Sequence, residues 1–166
     1  EGDNVNLIMD RNLEEAGNDW IVSDDYIKNN TDGTSCANSA CADEGPITAI
    51  KNLTEATKDW VNIPNLNFTF TDTYYGTTTI TGKARMPLYS EMGRVLCGSS
   101  CSWTIDYMED SPLNHLYGTR GYYTLNAYNI EQIYYVTNEG SISTMNAYTS
   151  DYGIRPVITL QPSNLG

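Results

Sequence analysis

The stretch IEQIYYVTNEGSISTMNAYTSDYGIRPVITL, residues 130–160, decides the fold of this chain. It contains two runs of β-branched and aromatic residues, Ile130–Val136 and Ser141–Met145, on either side of the polar turn Asn138–Gly140. Such runs around a glycine-containing turn are typical of a β-hairpin. A loop rich in Asn and Tyr follows, and β-branched residues then predict a last strand over Ile154–Leu160.

Further strands are predicted in the first half of the chain. Val5–Met9 and Trp20–Val22 have strand-like composition. Asn67–Tyr75 and Thr77–Arg85 are predicted to form another hairpin, with its turn at Gly76. We expect the first strand of the chain to pair with the last one, which would close the domain.

Two helices are predicted between these strands. The first follows the pair Gly45-Pro46, because proline is tolerated in the first helical turn and apolar residues then recur at helical spacing. The second covers Met86–Leu96, with its apolar residues on one face. Both are interpreted as amphipathic helices that pack against the core.

The remaining long segments, 24–44 and 102–129, are predicted to be loops. The predicted fold class is therefore α+β: a twisted, mainly antiparallel sheet with two helices and a large loop region. The N- and C-terminal strands are paired in this fold. A chain of 166 residues fits a single globular domain over residues 1–166.

The chain is acidic, with 21 Asp and Glu against 9 Lys and Arg and a net charge of −12. Nucleic-acid binding needs clustered cations, and here the cations are scattered, so this function is excluded. Anionic membrane surfaces are disfavoured for the same reason. No run of about 18 apolar residues is present, so this segment is not expected to insert into a membrane, and any anchor or prepilin segment is expected upstream.

The four cysteines form two short pairs, Cys36 with Cys41 and Cys97 with Cys101, in loops of small polar residues. We predict a local disulfide within each pair, which would stabilise the fold by about 2 kcal/mol each through loop closure. A zinc site formed by the four thiolates is the alternative. Disulfides form in oxidising compartments, so they predict an extracellular or cell-surface location.

Catalytic motifs are missing from the sequence. His115 is the only histidine, which excludes sites with two histidine ligands, and no serine has the context of a nucleophile elbow. Adjacent acids such as Asp24 and Asp25 cannot flank a glycosidic bond from both sides. We therefore predict a protein that is not an enzyme and has no cofactor. Calcium is the alternative, with Asp106 and Asp110 as the candidate ligands.

Tyrosine dominates the aromatic residues, with 13 Tyr and only 2 Phe. Tyrosines in polar loops form contact surfaces in many binding proteins, because they combine a large ring with a hydroxyl. The alternative is that these rings pack the loops onto the core. If they are exposed, the ligand-binding residues are predicted to be Trp103, Tyr117, Tyr122, Tyr123, Asn126, Tyr128, Asn146 and Tyr148.

Five motifs together resemble one bacterial family. The ending of the chain, residues 134–160, is similar to the family's aromatic strand, polar turn and loop, followed by Tyr-Gly-Val/Ile-Arg-Pro-Val. GPITAIKNLTEATKDWVNI (45–63), KARMPLYSE (83–91), CGSSCSW (97–103) and GDNVNLIMDRNL (2–13) resemble further segments. The family contains Firmicutes-type surface or pilin-associated proteins with a C-terminal domain of unknown function.

The resemblance implies a C-type-lectin-like or formylglycine-generating-enzyme-like fold, in many members preceded by a type IV prepilin segment. The oxidase activity of formylglycine-generating enzymes needs a cysteine pair in the C-terminal half, and no cysteine follows Cys101 here. The Glu-Pro-Asn motif of sugar-binding C-type lectins is also missing.

We therefore expect a non-enzymatic extracellular module, adhesive or ligand-binding, on a type IV pilin-like or pseudopilin-like protein. Its partner would be an unknown surface ligand, either protein or glycan. The alternative is a structural pilin head that packs on other pilin subunits in a filament.

Three residues of the closing motif are interpreted as structural. Gly153 is expected to let the chain turn into the last strand. Arg155 is expected to satisfy loop carbonyls or an acid. Pro156 lacks an N–H donor, so the last strand is expected to begin at a sheet edge or to point this position away from the ladder.

Overall fold

The computed structural model describes residues 4–9, 12–13, 18–30, 41–92, 121–137, 141–148 and 152–161. Within these residues the protein has an α+β fold, as predicted. The strands are β1 Val5–Ile8, β2 Leu66–Asp72, β3 Gly76–Gly82, β4 Tyr122–Ala127, β5 Gln132–Val136, β6 Ile142–Asn146 and β7 Val157–Leu160. The helices are α1 Ser23–Asn29, a short 3-10 helix at Ala42–Glu44, and α2 Ile47–Thr57.

The described strands form three small antiparallel sheets, β1–β7, β2–β3 and β4–β5–β6. The pairing of the N- and C-terminal strands is confirmed, with Val5 opposite Leu160. The expectation of one continuous sheet is wrong. Single bridges join the sheets instead, from Val157 to Arg85 and from Gly153 to Tyr122. Pro156 lies between these bridges, and because it has no N–H it cannot extend either one into a ladder.

Both predicted hairpins are confirmed as strand pairs. Phe70 lies opposite Thr78 in β2–β3, and Tyr134 lies opposite Thr144 in β5–β6. On the exposed face of β2–β3, the hydroxyls of Thr69 and Thr79 lie 2.8 Å apart. Cross-strand threonine pairs of this kind stabilise a sheet and keep its solvent face polar. The predicted turn at 138–140 lies outside the described residues.

The predicted strand at 20–22 and the predicted loop from 24 are wrong, because this region leads into helix α1. Trp20 is fully buried and its Nε1 donates to the Thr124 carbonyl at 2.9 Å, so its apolar character reflects core packing. The acidic Asp24 and Asp25 in the first turn and Lys28 in the last turn of α1 complement the helix dipole.

The first predicted helix is confirmed as α2, which begins after Pro46 and buries Ala49 and Leu53. Of the second predicted helix, residues 89–92 are helical, and 93–96 lie outside the described residues. It therefore begins three residues later than the predicted start at Met86.

The main core lies against one face of the β4–β5–β6 sheet, where it includes Trp20, Leu53, Phe70 and Ile133. A second, smaller cluster of Met92, Tyr122 and Val136, with Ile8 and Ile142 beside it, is separate from the main core. Side chains alternate between the faces of a strand, so Ile133 and Val136 lie on opposite faces of β5. The face that carries Val136 is called the outer face below.

Candidate binding site

The outer face continues from Val136 along β5 to Tyr134 and Gln132, because every second residue shares a face. Their partners on β6, Thr144 and Asn146, lie on the same face. These four side chains are only half-buried. The small cluster around Met92 therefore covers one end of the outer face, and its other end is polar and accessible.

Four tyrosines gather at this accessible end and are called the tyrosine patch: Tyr74, Tyr89, Tyr128 and Tyr134. The rings of Tyr89 and Tyr134 stack with their centroids 4.1 Å apart and their planes inclined by 24°. The Tyr128 ring stands at 79° to the Tyr134 ring, with a centroid distance of 5.3 Å. Tyr74 and Tyr128 remain 42% and 44% exposed. The patch thus offers ring surface to solvent.

The phenols of the patch interact electrostatically. The pKa of the Tyr134 hydroxyl lies above its ordinary value of 10.0, chiefly because burial disfavours the phenolate. Tyr89, Tyr128 and Tyr74 raise this pKa further, and so does the carboxylate of Asp72. At neutral pH the Tyr134 phenol is therefore protonated, and Asp72 places negative potential beneath the rings.

Asp72 fixes the turn between β2 and β3 against β4. Its Oδ1 accepts from the Tyr74 backbone N–H at 2.9 Å, an arrangement that aspartate favours in turns. Its Oδ2 accepts from the Asn126 Nδ2 at 3.1 Å and from the Ala127 N–H at 3.2 Å. The buried carboxylate is thus fully engaged within the chain, and it holds Tyr74 beside β4.

Asn126 was predicted to contact a ligand, and in the structure it is half-buried and bonded within the chain. Its Nδ2 donates to Asp72, and its Oδ1 accepts from the Tyr89 backbone N–H at 2.8 Å. Both ends of the amide therefore link parts of the chain. Asn126 positions Tyr89 and Tyr74 at the patch, because it joins the helical segment that begins at Tyr89 to the turn that carries Tyr74.

The backbone of Tyr128 is also fixed. Its N–H donates to the Gln132 carbonyl at 2.8 Å. The Asn129 Oδ1 accepts from the N–H groups of Glu131 and Gln132 at 2.8 and 2.7 Å, which closes the turn between β4 and β5. The ring of Tyr128 is therefore presented from a rigid turn and not from an extended loop.

The expectation that Tyr122 and Tyr123 form part of an exposed binding surface is wrong, since they are 2% and 0% exposed. They lie in β4, whose two faces are both covered. The Tyr123 hydroxyl donates to the Asn18 carbonyl at 2.9 Å. The Arg155 guanidinium carbon lies 4.2 Å from the centre of the Tyr122 ring. Burial raises the pKa of Tyr122 to about 12, although Arg155 acts in the opposite direction.

The other predicted contact residues have separate outcomes. Tyr128 belongs to the patch, and Asn146 lies on the outer face opposite Gln132. Tyr148 follows β6 and is 49% exposed. Several predicted residues lie outside the described part of the chain, namely Trp103, Tyr117, Asp106, Asp110, His115, Cys36, Cys97 and Cys101.

Cys41 is the one cysteine that the structure describes, and it is disulfide-bonded. Its partner therefore lies among the residues that the structure does not describe. The predicted pairing of Cys41 with Cys36 and of Cys97 with Cys101 stays a prediction.

The closing motif packs against the chain itself. Arg155 is buried, and its Nε donates to the Asn12 Oδ1 at 3.2 Å. A Cβ at Gly153 would lie 1.9 Å from the Asn12 Nδ2, so glycine serves close packing here, whereas a tight turn had been expected. The Pro156 carbonyl accepts from the Met9 N–H at 3.0 Å. All these contacts are internal, in agreement with a structural interpretation.

A cavity of about 350 Å³ also opens beside α2, lined by Leu13, Asn18, Asn52, Leu53, Glu55, Ala56 and Ile154. Among the described residues of this lining, Glu55 is the single titratable side chain, and it pairs with Lys58 at the C-terminal end of α2. General acid–base catalysis needs a positioned group that can exchange a proton. A carboxylate engaged by a lysine at an exposed rim does not meet this need, so we assign no chemistry to this cavity.

Sequence reasoning missed three members of the patch, Tyr74, Tyr89 and Tyr134. The sequence does contain a signal for Tyr134. Side chains alternate between the two faces of a strand, so Tyr134 and Tyr135 lie on opposite faces of β5. Tyr74 occupies the predicted turn before Gly76. The approach of Tyr89 to Tyr134 joins distant parts of the chain, and local sequence patterns carry no signal for it.

The described residues include no helix long and apolar enough to cross a membrane. They also include no group of three or more His, Cys, Asp or Glu that could hold a metal ion. No family model, no curated protein and no solved structure matches the chain. The resemblance to the bacterial surface family therefore stays a prediction.

Proposed function

We propose that this protein is a non-enzymatic extracellular module that binds a surface ligand, protein or glycan, through the tyrosine patch. In this proposal the module has a C-type-lectin-like fold and is carried on a type IV pilin-like or pseudopilin-like protein of the bacterial family that its motifs resemble. The observation that carries the proposal is the patch itself, two of whose four rings are more than two-fifths exposed.

The support for binding comes from how the rings are held. Exposed aromatic clusters are uncommon on proteins that bind nothing, and tyrosine is enriched where binding energy concentrates. Hydrogen bonds fix the backbone of Tyr74 and Tyr128 in two separate turns and that of Tyr89 at the start of a helical segment. A ligand would therefore meet rings already in place, and little conformational entropy would be lost on binding.

The support for an extracellular location is chemical. Cys41 is disulfide-bonded, and disulfides persist in oxidising compartments. The polar residues of the chain are mostly Asn, Thr, Ser and Tyr, and charged residues make up only 18%. This composition is similar to that of antibody binding loops, in which such side chains adapt to many ligands.

The test uses the double variant Tyr74→Ala/Tyr128→Ala and the control variant Val61→Ala, at an exposed position outside the patch. Binding of the purified protein is measured on arrays of immobilised glycans and on surface-protein preparations. We expect wild type and the control to bind the same ligand, and the double variant to bind it at least about tenfold more weakly. Equal binding by a double variant with an unchanged Tm would refute the proposal, as would a wild type that binds nothing.

A structural pilin head is the second candidate, and strand β1 favours it. Val5 and Leu7 of this strand are exposed apolar residues, which could pack against a neighbouring subunit. If subunit packing is the function, the protein should self-associate, and Leu7→Lys should abolish the association. Sedimentation measurements of wild type and variant decide this, and a wild type that stays monomeric at high concentration counts against it.

A further inference from the structure

We infer that the tyrosine patch takes a trimethylammonium group, the cationic end of a choline-type ligand. The inference rests on the proposed function, because both require the patch to be a binding surface. It goes further by naming the chemistry that the rings and their charges select.

The geometry suits a bulky cation. The negative face of an aromatic ring attracts a cation within about 6 Å of its centre. Tyr128 and Tyr134 stand at 79° to each other and form two sides of a corner, and the Tyr89 ring covers one face of Tyr134 by stacking on it. The exposed ring of Tyr74 lies at the same end of the sheet. Rings at steep angles around one point are how proteins bind quaternary ammonium groups.

The electrostatics favour positive charge at this point. The carboxylate of Asp72 is close enough to the Tyr134 hydroxyl to raise its pKa. The same potential that disfavours the phenolate attracts a cation. The chain as a whole carries a net charge of −12, which adds to this attraction.

Within the described part of the chain, the protein's own cations do not neutralise the patch. Each lysine and arginine in the described part of the chain contacts another side chain or carbonyl, and none of them is among the groups that shift the pKa of Tyr134. The contacts are Lys28 and Lys51 with Asp25, Lys58 with Glu55, Lys83 with the Trp60 carbonyl, Arg85 with Glu91, and Arg155 with Asn12.

Hydrogen bonding separates this ligand from a neutral sugar. Sugar hydroxyls need several convergent polar groups for their orientation. The polar groups beneath the patch, Asp72 and Asn126, already bond to the chain itself. A trimethylammonium group has no N–H and needs no such partner. The patch offers ring faces, and the Asp72 carboxylate is already hydrogen-bonded within the chain. The patch therefore suits a trimethylammonium group better than a sugar.

The test is a titration of the full chain with choline, followed by amide NMR. Its control is dimethylbutanol, which has the shape of choline without the charge. We expect saturable shifts around Tyr128 and Tyr134 with a Kd of about 1 mM or tighter, and at least about tenfold weaker binding of the alcohol. Equal binding of the two compounds, or no binding of choline, overturns the inference.

Three variants test which part of tyrosine matters. Tyr128→Phe keeps the ring face, so the Kd for choline should stay within about twofold of wild type. Tyr128→Leu removes the face and should weaken binding about three- to tenfold. Val61→Ala changes an exposed side chain outside the patch and should have no effect. Loss of binding in Tyr128→Phe would indicate hydrogen bonding by the phenol and overturn the inference.

Phosphocholine in the same titration distinguishes the source of the group. If the natural ligand is free choline, phosphocholine should bind more weakly than choline, because the acidic protein repels phosphate. Phosphocholine binding as tight as that of choline would indicate a phosphocholine headgroup. Either result supports a trimethylammonium site. If a neutral sugar shifts the patch signals and choline does not, this inference fails and the proposed function stands. If Tyr74→Ala/Tyr128→Ala keeps all surface binding, the proposed function fails whatever choline does.

Discussion

Asn12 occupies the space that a side chain at position 153 would need. Its Nδ2 donates to the Gly121 carbonyl at 3.4 Å, and its Oδ1 accepts from the Nε of Arg155. One amide thus connects the residue before β4 with the residues before β7. The guanidinium of Arg155 then lies over the Tyr122 ring. Gly153, Asn12 and Arg155 act as one packed unit, because any atom added at position 153 displaces the amide that orients the arginine.

Replacement of Gly153 by alanine should therefore destabilise the protein. The new Cβ would lie 1.9 Å from the Asn12 Nδ2 and 2.8 Å from the Asn12 Cβ, so the whole Asn12 side chain must move. We expect a loss of about 1–3 kcal/mol in the free energy of unfolding, measured by urea denaturation. Gly82→Ala is the control, because its Cβ would meet its nearest neighbours at 3.7 Å. A similar effect of both substitutions would contradict the close-packing explanation.

At the scale of elements, the turn of the β2–β3 hairpin is bonded to β4 by side chains, in addition to the core packing of Phe70 and Ile80. The Tyr75 hydroxyl donates to the Leu125 carbonyl, and Asp72 accepts from both Asn126 and Ala127. Strand β4 is therefore bonded to β5 by its ladder and to the hairpin turn by side chains. Two elements distant in sequence are held at the place where the tyrosine patch forms.

The substitution Asp72→Ala tests this attachment. It removes the acceptor of three hydrogen bonds and leaves the buried Ala127 N–H without its partner. We expect the free energy of unfolding to fall by about 2–4 kcal/mol. Thr71→Ala is the matched control in the same strand, because it removes one exposed hydroxyl contact with Thr77, and about 0.5 kcal/mol or less is expected. If Asp72→Ala is as mild as the control, the turn does not anchor the hairpin.

The elements that sequence patterns predicted are those with a regular period. The hairpins β2–β3 and β5–β6 and helix α2 follow from alternation, helical spacing or turn residues near the element itself. The pairing of β1 with β7 was expected instead from the closure of the domain by its two ends. Helix α1 was missed, because tertiary burial of Tyr26 and Asp25 decides its position and its apolar residues are few. The sequence did contain one signal for this helix, because acids in its first turn and a lysine in its last turn complement the helix dipole.

The site was predicted only in part for a related reason. The tyrosines of β4 and its turn look alike in sequence, yet Tyr122 and Tyr123 are buried and Tyr128 is exposed. The difference arises from Arg155, Tyr152 and Asn18, which cover β4 from parts of the chain before and after it. No local sequence pattern indicates which strand will be buried on both of its faces. Composition therefore indicated an aromatic surface, and tertiary packing selected its members.

At the scale of the whole molecule, the last described segment joins the three sheets. Val157 pairs with Ile8 and bridges to Arg85, and Gly153 bridges to Tyr122. Tyr122 lies at one of these junctions, and Tyr75 joins the β2–β3 turn to β4. The Tyr122 hydroxyl donates to the Met92 sulfur, and the Tyr75 hydroxyl to the Leu125 carbonyl. Folding thus depends on phenols that remain protonated in low-dielectric surroundings, which links the stability of the molecule to alkaline pH.

The direction of this dependence follows from the pKa of Tyr122. Burial raises it to about 12, and an unfolded tyrosine titrates near 10.0. Between these values the unfolded chain binds fewer protons than the folded chain, so stability that is fully present below the unfolded pKa is lost as pH rises towards the folded pKa. The pKa of Tyr75 is raised by burial as well, and this adds to the loss. We expect the free energy of unfolding to fall by about 1–3 kcal/mol between about pH 8 and about pH 11.

Urea denaturation at a series of pH values from about 8 to about 11 measures this loss, with phenolate absorbance recorded in the same samples. Tyr122→Phe is the informative variant, because it removes one buried phenol and leaves Tyr75 in place. Its free energy of unfolding should fall less steeply with pH than that of wild type, but should still fall. Tyr128→Phe, at an exposed position of the patch, should keep the wild-type slope. A slope in Tyr122→Phe equal to that of wild type would show that Tyr122 is not what couples folding to alkaline pH.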